Sequence, residues 1–149
     1  MVINMRILID ADACPVKEIA IDVAKQYDLE VILFFDTAHL YEDDYATVYI
    51  IDKGKDSVDY FLLSKLKEKD IVITQDYGLA SLALTKKCFP ISQNGTLFST
   101  ENIDGFLNRR YINSLARKRK EKIKGPSKRT SIQDENFYNN LVKLIEMNI

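Results

Sequence analysis

Residues 5–35 read MRILIDADACPVKEIAIDVAKQYDLEVILFF. Two short apolar runs, MRILI and VILFF, flank a segment in which apolar residues recur at three- and four-residue spacing after Pro15. The runs are typical of buried strands. The spacing between them, with a proline in the first turn, is typical of an amphipathic helix. The stretch therefore predicts a strand, a helix and a second strand, the unit from which parallel sheets are built.

The alternation of strand-like and helix-like segments continues along the chain. The last apolar run contains Pro90, as an edge strand can. The predicted strands lie at 47–51, 71–74 and 88–91, and the predicted helices at 56–70 and 76–87. Strands joined by right-handed crossovers lie parallel, with helices on both faces. We therefore expect a three-layer α/β/α fold with a mainly parallel central sheet of about five strands.

The length of the chain fits one domain with an extension. At 149 residues it can enclose one core but not two. Beyond residue 100 the pattern predicts a basic helix, an exposed loop at Gly125 and Pro126, and a final amphipathic helix from Asp134. We expect an α/β core at 1–108, with residues 109–149 as a basic helical segment packed on or appended to the same domain.

Several features bear on the compartment. The apolar run before Asp10 is too short for a signal peptide or a membrane span. Cys14 and Cys88 lack disulfide-framework and zinc-site spacing, which favours reduced thiols. The single His39 excludes sites built from several histidines. We expect a cytoplasmic protein without a membrane partner, in which carboxylates carry any catalysis.

A charge asymmetry divides the chain. Residues 109–129 hold ten of the 21 Lys and Arg side chains and one of the 22 acids, which leaves 11 basic against 21 acidic side chains elsewhere. Such a run contacts nucleic-acid phosphates, or is a solubilising linker or a strap on the protein's own acidic surface. The predicted nucleic-acid contacts are Arg109, Arg110, Arg117, Lys118, Arg119, Lys120, Lys128 and Arg129.

Aspartates gather where the predicted strands end. Asp10 and Asp12 follow the first strand, and Asp76 follows the fourth. Asp56 and Asp59 share one face in the first turn of the predicted second helix. If the first and fourth strands are neighbours, these acids converge, and Mg²⁺ or Mn²⁺ would relieve their repulsion. Each aspartate alone is more simply explained as a helix cap.

Several motifs resemble those of one protein family. They are DADACPVK at 10–17, GKDSVD at 54–59, DIVITQDYGLA at 70–80, NGTLFSTENI at 94–103 and KGP at 124–126, the last followed by Thr130, Asp134 and Phe137. In these motifs the chain resembles the YaiI/YqxD family along essentially its whole length. The resemblance implies a PIN-like fold, the three-layer arrangement shared with metal-dependent ribonucleases. Kinship of fold alone does not establish activity.

The resemblance also assigns positions. The matched residues are Asp10 for the first acid of the PIN site, Asp56 or Asp59 for acids of a later helix, and Thr74 with Asp76 for the terminal T-x-D element. The chain departs from the family at 92–95, where Ser-Gln-Asn-Gly replaces a Pro-Arg pair before the glycine. A phosphate-contacting arginine is therefore expected to be absent from that loop.

The combined features predict a divalent-metal-dependent nuclease that acts on RNA more than on DNA. The predicted catalytic residues are Asp10, Asp59 and Asp76, with Asp12 and Asp56 completing the ligands of Mg²⁺ or Mn²⁺. The residues expected to support these ligands or contact substrate are Thr74, Gln75, Lys17 and Tyr77. RNA is the expected partner, and the oligomeric state, a homo-oligomer included, is left open.

Two other functions fit the sequence. One is a non-catalytic RNA-binding or ribosome-associated module that keeps the PIN-like cleft without turnover. The other is a phosphatase of the haloacid-dehalogenase type, in which Asp10 attacks phosphorus and Asp12 protonates the leaving group. Individual residues also have structural explanations: Lys17 as a solvated helix lysine, Cys14 as a packed thiol and Tyr77 as a half-buried ring.

Overall fold

The fold is given by a computed structural model that describes residues 5–36, 41–51, 57–120 and 128–149. Its strands are β1 (Arg6–Asp10), β2 (Glu30–Phe35), β3 (Thr47–Ile50), β4 (Ile71–Ile73) and β5 (Phe89–Ile91). Its helices are α1 (Lys17–Tyr27), α2 (Ser57–Lys65), α3 (Tyr77–Thr85), α4 (Ile103–Lys118) and α5 (Ser131–Met147). Each predicted strand and helix is therefore present, with ends that differ by a few residues.

The described strands form one sheet in the order β3-β2-β1-β4-β5, and every adjacent pair is parallel. The register aligns Ile9 of β1 with Leu33 of β2 on one side and with Ile73 of β4 on the other. The chain adds β2 and β3 outward from β1, then crosses back to add β4 and β5. Strand order thus reverses between β1 and β4, the position at which such sheets bind ligands.

Helices cover both faces of this sheet, which confirms the expected three-layer α/β/α arrangement. Ile7 and Ile9 of β1 belong to the core beneath α1 and α5, whereas Leu8 belongs to the core beneath α2 and α3. The central strands are buried on both faces, which is why they are continuously apolar. Helix α4 packs on α3 through a smaller cluster that includes Phe98 and Ile103.

The C-terminal helix α5 is part of the main core. Phe137 and Ile145 are fully buried in the same cluster as the residues of α1. A capping box between Thr130 and Gln133 fixes the first turn of the helix. The boundary expected after residue 108 falls inside α4. None of the helices in the described ranges is both long and apolar enough to cross a membrane.

Candidate functional site at the edge of β1 and β4

The carboxyl ends of β1 and β4 bring two of the predicted acids together. Asp10 is the last residue of β1, and the register of Ile9 with Ile73 places it beside Thr74, which follows β4. The Thr74 hydroxyl donates to Asp10 Oδ2 at 3.1 Å and accepts the Asp76 backbone N–H at 3.0 Å. One buried hydroxyl therefore joins the two acids that the sequence separates by more than sixty residues.

Asp76 is a helix cap, as the simpler explanation expected, but only one of its oxygens is used in this way. Its Oδ1 accepts the backbone N–H groups of Gly78 at 2.8 Å and Leu79 at 3.1 Å. Arg110 of α4 places Nη1 at 3.7 Å from the same oxygen. Asp76 Oδ2 accepts no hydrogen bond from the described residues. The second oxygen is therefore available to a ligand.

Asp10 and Asp12 line one small cavity of about 40 Å³. Its other lining residues are Ala13, Cys14, Ile73, Thr74, Gln75 and Gln93. A tight turn reverses the chain here: Ala13 has a left-handed φ of 54°, and the Cys14 N–H donates to the Ala11 carbonyl at 3.2 Å. The turn is what allows Asp10 and Asp12 to reach one cavity although strand alternation would separate them. Asp12 Oδ2 also accepts the Asp36 backbone N–H at 2.6 Å.

The electrostatics of this edge make Asp10 hold its proton more tightly than an ordinary aspartate. Burial, and to a smaller extent the nearby charges of Asp76, Asp12 and Asp36, raise the pKa of Asp10 from 3.8 to about 6. The hydrogen bond from Thr74 opposes these effects because it stabilises the ionised carboxylate. The neighbouring negative charges therefore add to the cost of ionising Asp10, a cost that a bound cation would offset.

Asp59 lies on a neighbouring groove rather than in the cavity of Asp10 and Asp12. This groove of about 380 Å³ is lined by Asp59, Tyr60, Leu63, Asp76, Gly78, Leu79, Leu82 and Arg110. Asp76 lines this groove but not the cavity, and the Thr74 hydroxyl connects it to Asp10. Asp56, like His39, lies outside the described residues. Within the described ranges, no group of three or more His, Cys, Asp or Glu side chains is arranged to hold a metal ion.

Lys17 and Tyr77 make contacts within the protein that stabilise its local structure. The Lys17 ammonium donates to the Cys14 carbonyl at 2.9 Å, so it fastens the turn after β1 to α1. Burial raises the pKa of the Cys14 thiol, which keeps it neutral. The Tyr77 ring packs against Phe98 and Phe106, with centroids 5.8 and 5.2 Å away. Its ring is thus part of the packing between α3 and α4.

The predicted phosphate contacts fall into two groups. Arg129 is committed to the domain itself: its guanidinium donates to Asp134 at 2.9 Å, to Asn94 Oδ1 at 2.7 Å and to the Gln93 carbonyl at 2.8 Å. The other predicted phosphate contacts are exposed, and they are Arg109, Arg110, Arg117, Lys118, Arg119, Lys120 and Lys128. Six of these seven lie on α4 or directly after it. The exposed cations are therefore concentrated along one helix that passes beside Asp76.

Comparison with known proteins places this chain in a family. The model of the YaiI/YqxD family, whose description calls it uncharacterised, matches residues 8–147. The chain belongs to the YaiI/YqxD family. A relative from Natranaerobius thermophilus is 47% identical over 141 residues, covering 95% of this chain and 96% of its own length. Relatives from Exiguobacterium sibiricum and Clostridium kluyveri are 43% and 42% identical, cover 95% of this chain and span 96% and 93% of their own lengths.

These relatives carry the name "UPF0178 protein", which states no activity. No solved structure matches the chain. The comparisons therefore establish the family of this YaiI/YqxD protein and leave its chemistry to be argued from the geometry.

The structure adds residues to this edge that the sequence did not single out. The Gln93 N–H donates to Gln75 Oε1 at 2.8 Å, which ties the loop after β5 to the loop after β4. Asp36 adds charge beside Asp10 because β2 ends at the same edge. Its position directly after a predicted strand was the signal that could have identified it. Tyr60 gave no such signal, because only the packing of α2 beside α3 reveals its exposed groove.

The linking hydroxyl of Thr74 yields a direct prediction for this YaiI/YqxD family protein. Thr74→Val should raise the pKa of Asp10 above about 6, because the hydrogen bond that favours the ionised carboxylate is lost. Thr74→Ser should restore it. NMR titration of the Asp10 carboxyl carbon measures the shift, and Mn²⁺ affinity should fall roughly 10- to 100-fold, as for other groups that orient metal ligands. An Asp10 pKa equal in the valine and wild-type proteins would contradict this role of Thr74.

Proposed function

We propose that this YaiI/YqxD family protein is a divalent-metal-dependent nuclease that hydrolyses phosphodiester bonds, in RNA more than in DNA. The observation that carries the proposal is the joining of Asp10 and Asp76 by the Thr74 hydroxyl, at the point where strand order reverses. The resemblance of the same three residues to the T-x-D element and first acid of PIN-like ribonucleases supports it. The proposal thus rests on both geometry and motif.

The donor chemistry at this edge fits Mg²⁺ or Mn²⁺. Asp10 Oδ1 and Asp76 Oδ2 accept no hydrogen bond from the described residues, and hard divalent cations prefer carboxylate oxygens. Mg²⁺ is commonly held by one or two carboxylates plus substrate phosphates, so a large protein cage is not needed. Asp12 and Asp59 supply further carboxylates in the two adjoining recesses. A bound ion would lower the pKa of a water and offset charge on the phosphate.

The chain's own groups would keep this arrangement in place. The Thr74 hydroxyl orients Asp10, and the N–H groups of Gly78 and Leu79 hold Asp76 through Oδ1 while leaving Oδ2 available. Arg110, next to Asp76, would bind an oxygen of the phosphate, since a guanidinium forms strong charge-assisted bonds to such groups. Hydrogen bonds from Thr74, Gly78 and Leu79 would therefore position the acids, and Arg110 would balance the charge of the phosphate.

The basic helix α4 would supply affinity for the nucleic-acid backbone. Its exposed cations add an attraction that depends on salt and ignores base sequence. The acids at the edge and the cations along α4 lie side by side at Asp76 and Arg110, so a bound strand would pass the acids. The compartment would be the cytoplasm, in which the buried free thiols of Cys14 and Cys88 stay reduced.

Cleavage of labelled single-stranded RNA tests the proposal. The purified full chain should cleave RNA with Mn²⁺ or Mg²⁺ and should not cleave it in EDTA, because the edge acids act through the cation. The matched control is the double variant Asp10→Asn with Asp76→Asn, purified in the same way, which should be inactive. Equal cleavage by the wild type and the double variant, or none by either, would overturn the nuclease assignment.

A non-catalytic RNA-binding module is the second candidate, and one observation favours it. No three carboxylates in the described part of the chain are arranged around a single point, whereas the cations of α4 are already exposed. A binding module should hold RNA in EDTA as tightly as in Mg²⁺, with an affinity that falls steeply with salt. Tight binding without any metal-dependent cleavage would favour this function over the nuclease.

A further inference from the structure

The apolar walls of the groove beside Asp76 include two side chains, Tyr60 and Leu82, that lie outside the core clusters. Tyr60 and Leu63 are three residues apart on α2, so they share a face of that helix. Leu79 and Leu82 do the same on α3. Tyr60 is 74% exposed and Leu82 is 49% exposed. Two large apolar side chains left exposed in one recess are typical of a surface that receives a ligand.

The other end of the groove carries the cation of Arg110, whose one ion pair among the described residues is a long contact with Asp76. The Arg110 side chain is 57% exposed, and its 3.7 Å approach to Asp76 Oδ1 is too long for a hydrogen bond. That oxygen already accepts two backbone N–H groups. Arg110 has five N–H donors and, among the described residues, donates none of them in a hydrogen bond. Its guanidinium is therefore available to an anion.

Gly78 keeps the groove open between these two parts. A Cβ atom at Gly78 would lie 3.1 Å from Asp76 Oδ1 and 3.8 Å from Arg110 Nη1. Any larger residue would therefore push against the carboxylate that caps α3. A side chain at this position would project into the space beside the Asp76 carboxylate and the Arg110 guanidinium.

The cations of α4 continue from the groove in one direction. The stripe of α4 that packs on α3 starts with Ile103, Phe106 and Leu107, and the same stripe then carries Arg110 and Arg117. These two arginines are seven residues apart, which separates them by about 10 Å along the helix. A chain of phosphates entering the groove at Arg110 would meet further positive charge along this stripe.

We propose that this groove binds one unpaired nucleotide, with its base on the Tyr60 ring and the leucine walls and its phosphate on Arg110. An aromatic face binds any base by stacking, and a guanidinium at the mouth binds phosphate. The volume of about 380 Å³ lies within the range of small-molecule sites. In a duplex the faces of each base are covered by its stacked neighbours, so the groove selects a single strand. The substrate class, single-stranded RNA, rests on the proposed function. The groove adds the place on the protein at which one nucleotide of that strand is bound.

Binding without metal tests the groove separately from catalysis. Fluorescence anisotropy of a labelled single-stranded RNA oligonucleotide is measured with the full chain in EDTA at low salt. Tyr60→Ala should weaken binding by about tenfold, within the range for loss of one base–aromatic stack. Tyr60→Phe keeps the ring and should bind like the wild type. Tyr138→Ala, at an exposed tyrosine of α5 on the other side of the sheet, is the matched control and should change nothing.

Two further measurements separate the base from the phosphate. An oligonucleotide of abasic units keeps the phosphates, so the wild type should bind it about tenfold more weakly and Tyr60→Ala should make no further difference. Arg110→Ala should lower the slope of log affinity against log salt by about 0.7, the value for one phosphate contact on a single strand. Unchanged binding by Tyr60→Ala, an equal loss in Tyr138→Ala, or no binding by the wild type would overturn the groove.

The outcomes for groove and nuclease can be told apart. If Tyr60→Ala loses RNA affinity and the wild type shows no metal-dependent cleavage, the proposed nucleotide groove is supported and the nuclease activity is contradicted. If metal-dependent cleavage needs Asp10 and Asp76 but Tyr60→Ala binds RNA as the wild type does, the nuclease activity is supported and the nucleotide groove is contradicted. Circular dichroism melting of the Tyr60 variants checks that they fold, which the exposure of this side chain leads us to expect.

Discussion

Asp10→Asn is expected to abolish metal-dependent cleavage and, in the same molecule, to increase the free energy of unfolding of the metal-free protein. The loss of activity follows because Asp10 is a partly buried acid of the proposed ion site, and a neutral amide attracts a hard cation less strongly than a carboxylate does. The loss should exceed the roughly 10- to 100-fold that removal of a supporting group costs. Asparagine can still accept the hydrogen bond from Thr74, so the local structure should be kept.

The gain in stability follows from the raised pKa of Asp10. Its folded-state value of about 6 lies above the ordinary 3.8, so ionised Asp10 destabilises the folded state relative to the unfolded state. This cost is absent below pH 3.8, develops between the two values and is complete above about pH 6. At roughly 1.4 kcal/mol per pKa unit, Asp10→Asn should add up to about 3 kcal/mol at pH 8 in EDTA and nothing near pH 3.5.

Urea unfolding at several pH values, with EDTA or Mg²⁺, measures this effect. Mg²⁺ should stabilise the wild type by about 2.7 kcal/mol at a concentration one hundred times its dissociation constant, and it should not stabilise Asp10→Asn. The control is Asp22→Asn on the exposed face of α1, which also removes one negative charge and should change neither stability nor activity appreciably. Equal stability of wild type and Asp10→Asn at pH 8 without metal would contradict the raised pKa of Asp10.

The convergence of Asp10 and Asp76 was predictable from the sequence because it depends on chain topology. Parallel strands joined by crossovers send their carboxyl ends to one edge, and the apolar runs marked where those ends are. The adjacency of β1 and β4 was the one condition left open, and the structure satisfies it. Asp10 directly follows Ile9 in the sequence, and Thr74 directly follows Ile73. Once Ile9 and Ile73 are paired in the sheet, Asp10 and Thr74 lie side by side.

Contacts that depend on tertiary packing were not predictable in the same way. A charge run indicates basic character but not which cations the protein uses itself, and Arg129 is held by Asn94, Asp134 and a carbonyl. The early end of α2 at Lys65 had the same origin. The carboxylate of Asp70 accepts the Lys67 N–H at 2.7 Å and so favours a turn where the amphipathic pattern continued. The spacing of apolar residues along a helix does not show that a side chain competes for a backbone N–H group in this way.

Arg6→Met should lower the free energy of unfolding by about 3–5 kcal/mol, the usual cost of leaving one member of a buried ion pair without its partner. Arg6 and Asp70 pair at the amino end of the sheet, where Nε lies 3.0 Å from Oδ1 and Nη2 lies 2.6 Å from Oδ2. Asp70 is 1% exposed, and Arg6 also donates to the Lys65 carbonyl at 2.8 Å. The pair therefore links β1 to the turn between α2 and β4.

Thermal and urea unfolding should be measured for Arg6→Met and for the double variant Arg6→Met with Asp70→Asn. The comparison separates the cost of leaving the Asp70 carboxylate without its partner from the cost of lost packing. The double variant should recover much of the loss, because a neutral amide is easier to bury than a carboxylate. The exposed pair of Lys87 and Glu68, 3.8 Å apart, is the control, and Lys87→Met should have little effect. Arg6→Met should still cleave RNA at temperatures where it is folded, because the pair lies at the opposite edge from Asp10. We expect Arg6→Met to be less stable but active, and Asp10→Asn to be more stable but inactive. Together these results would assign a stabilising role to the amino end of the sheet and a catalytic role to its carboxyl end. A folded but inactive Arg6→Met would contradict that division.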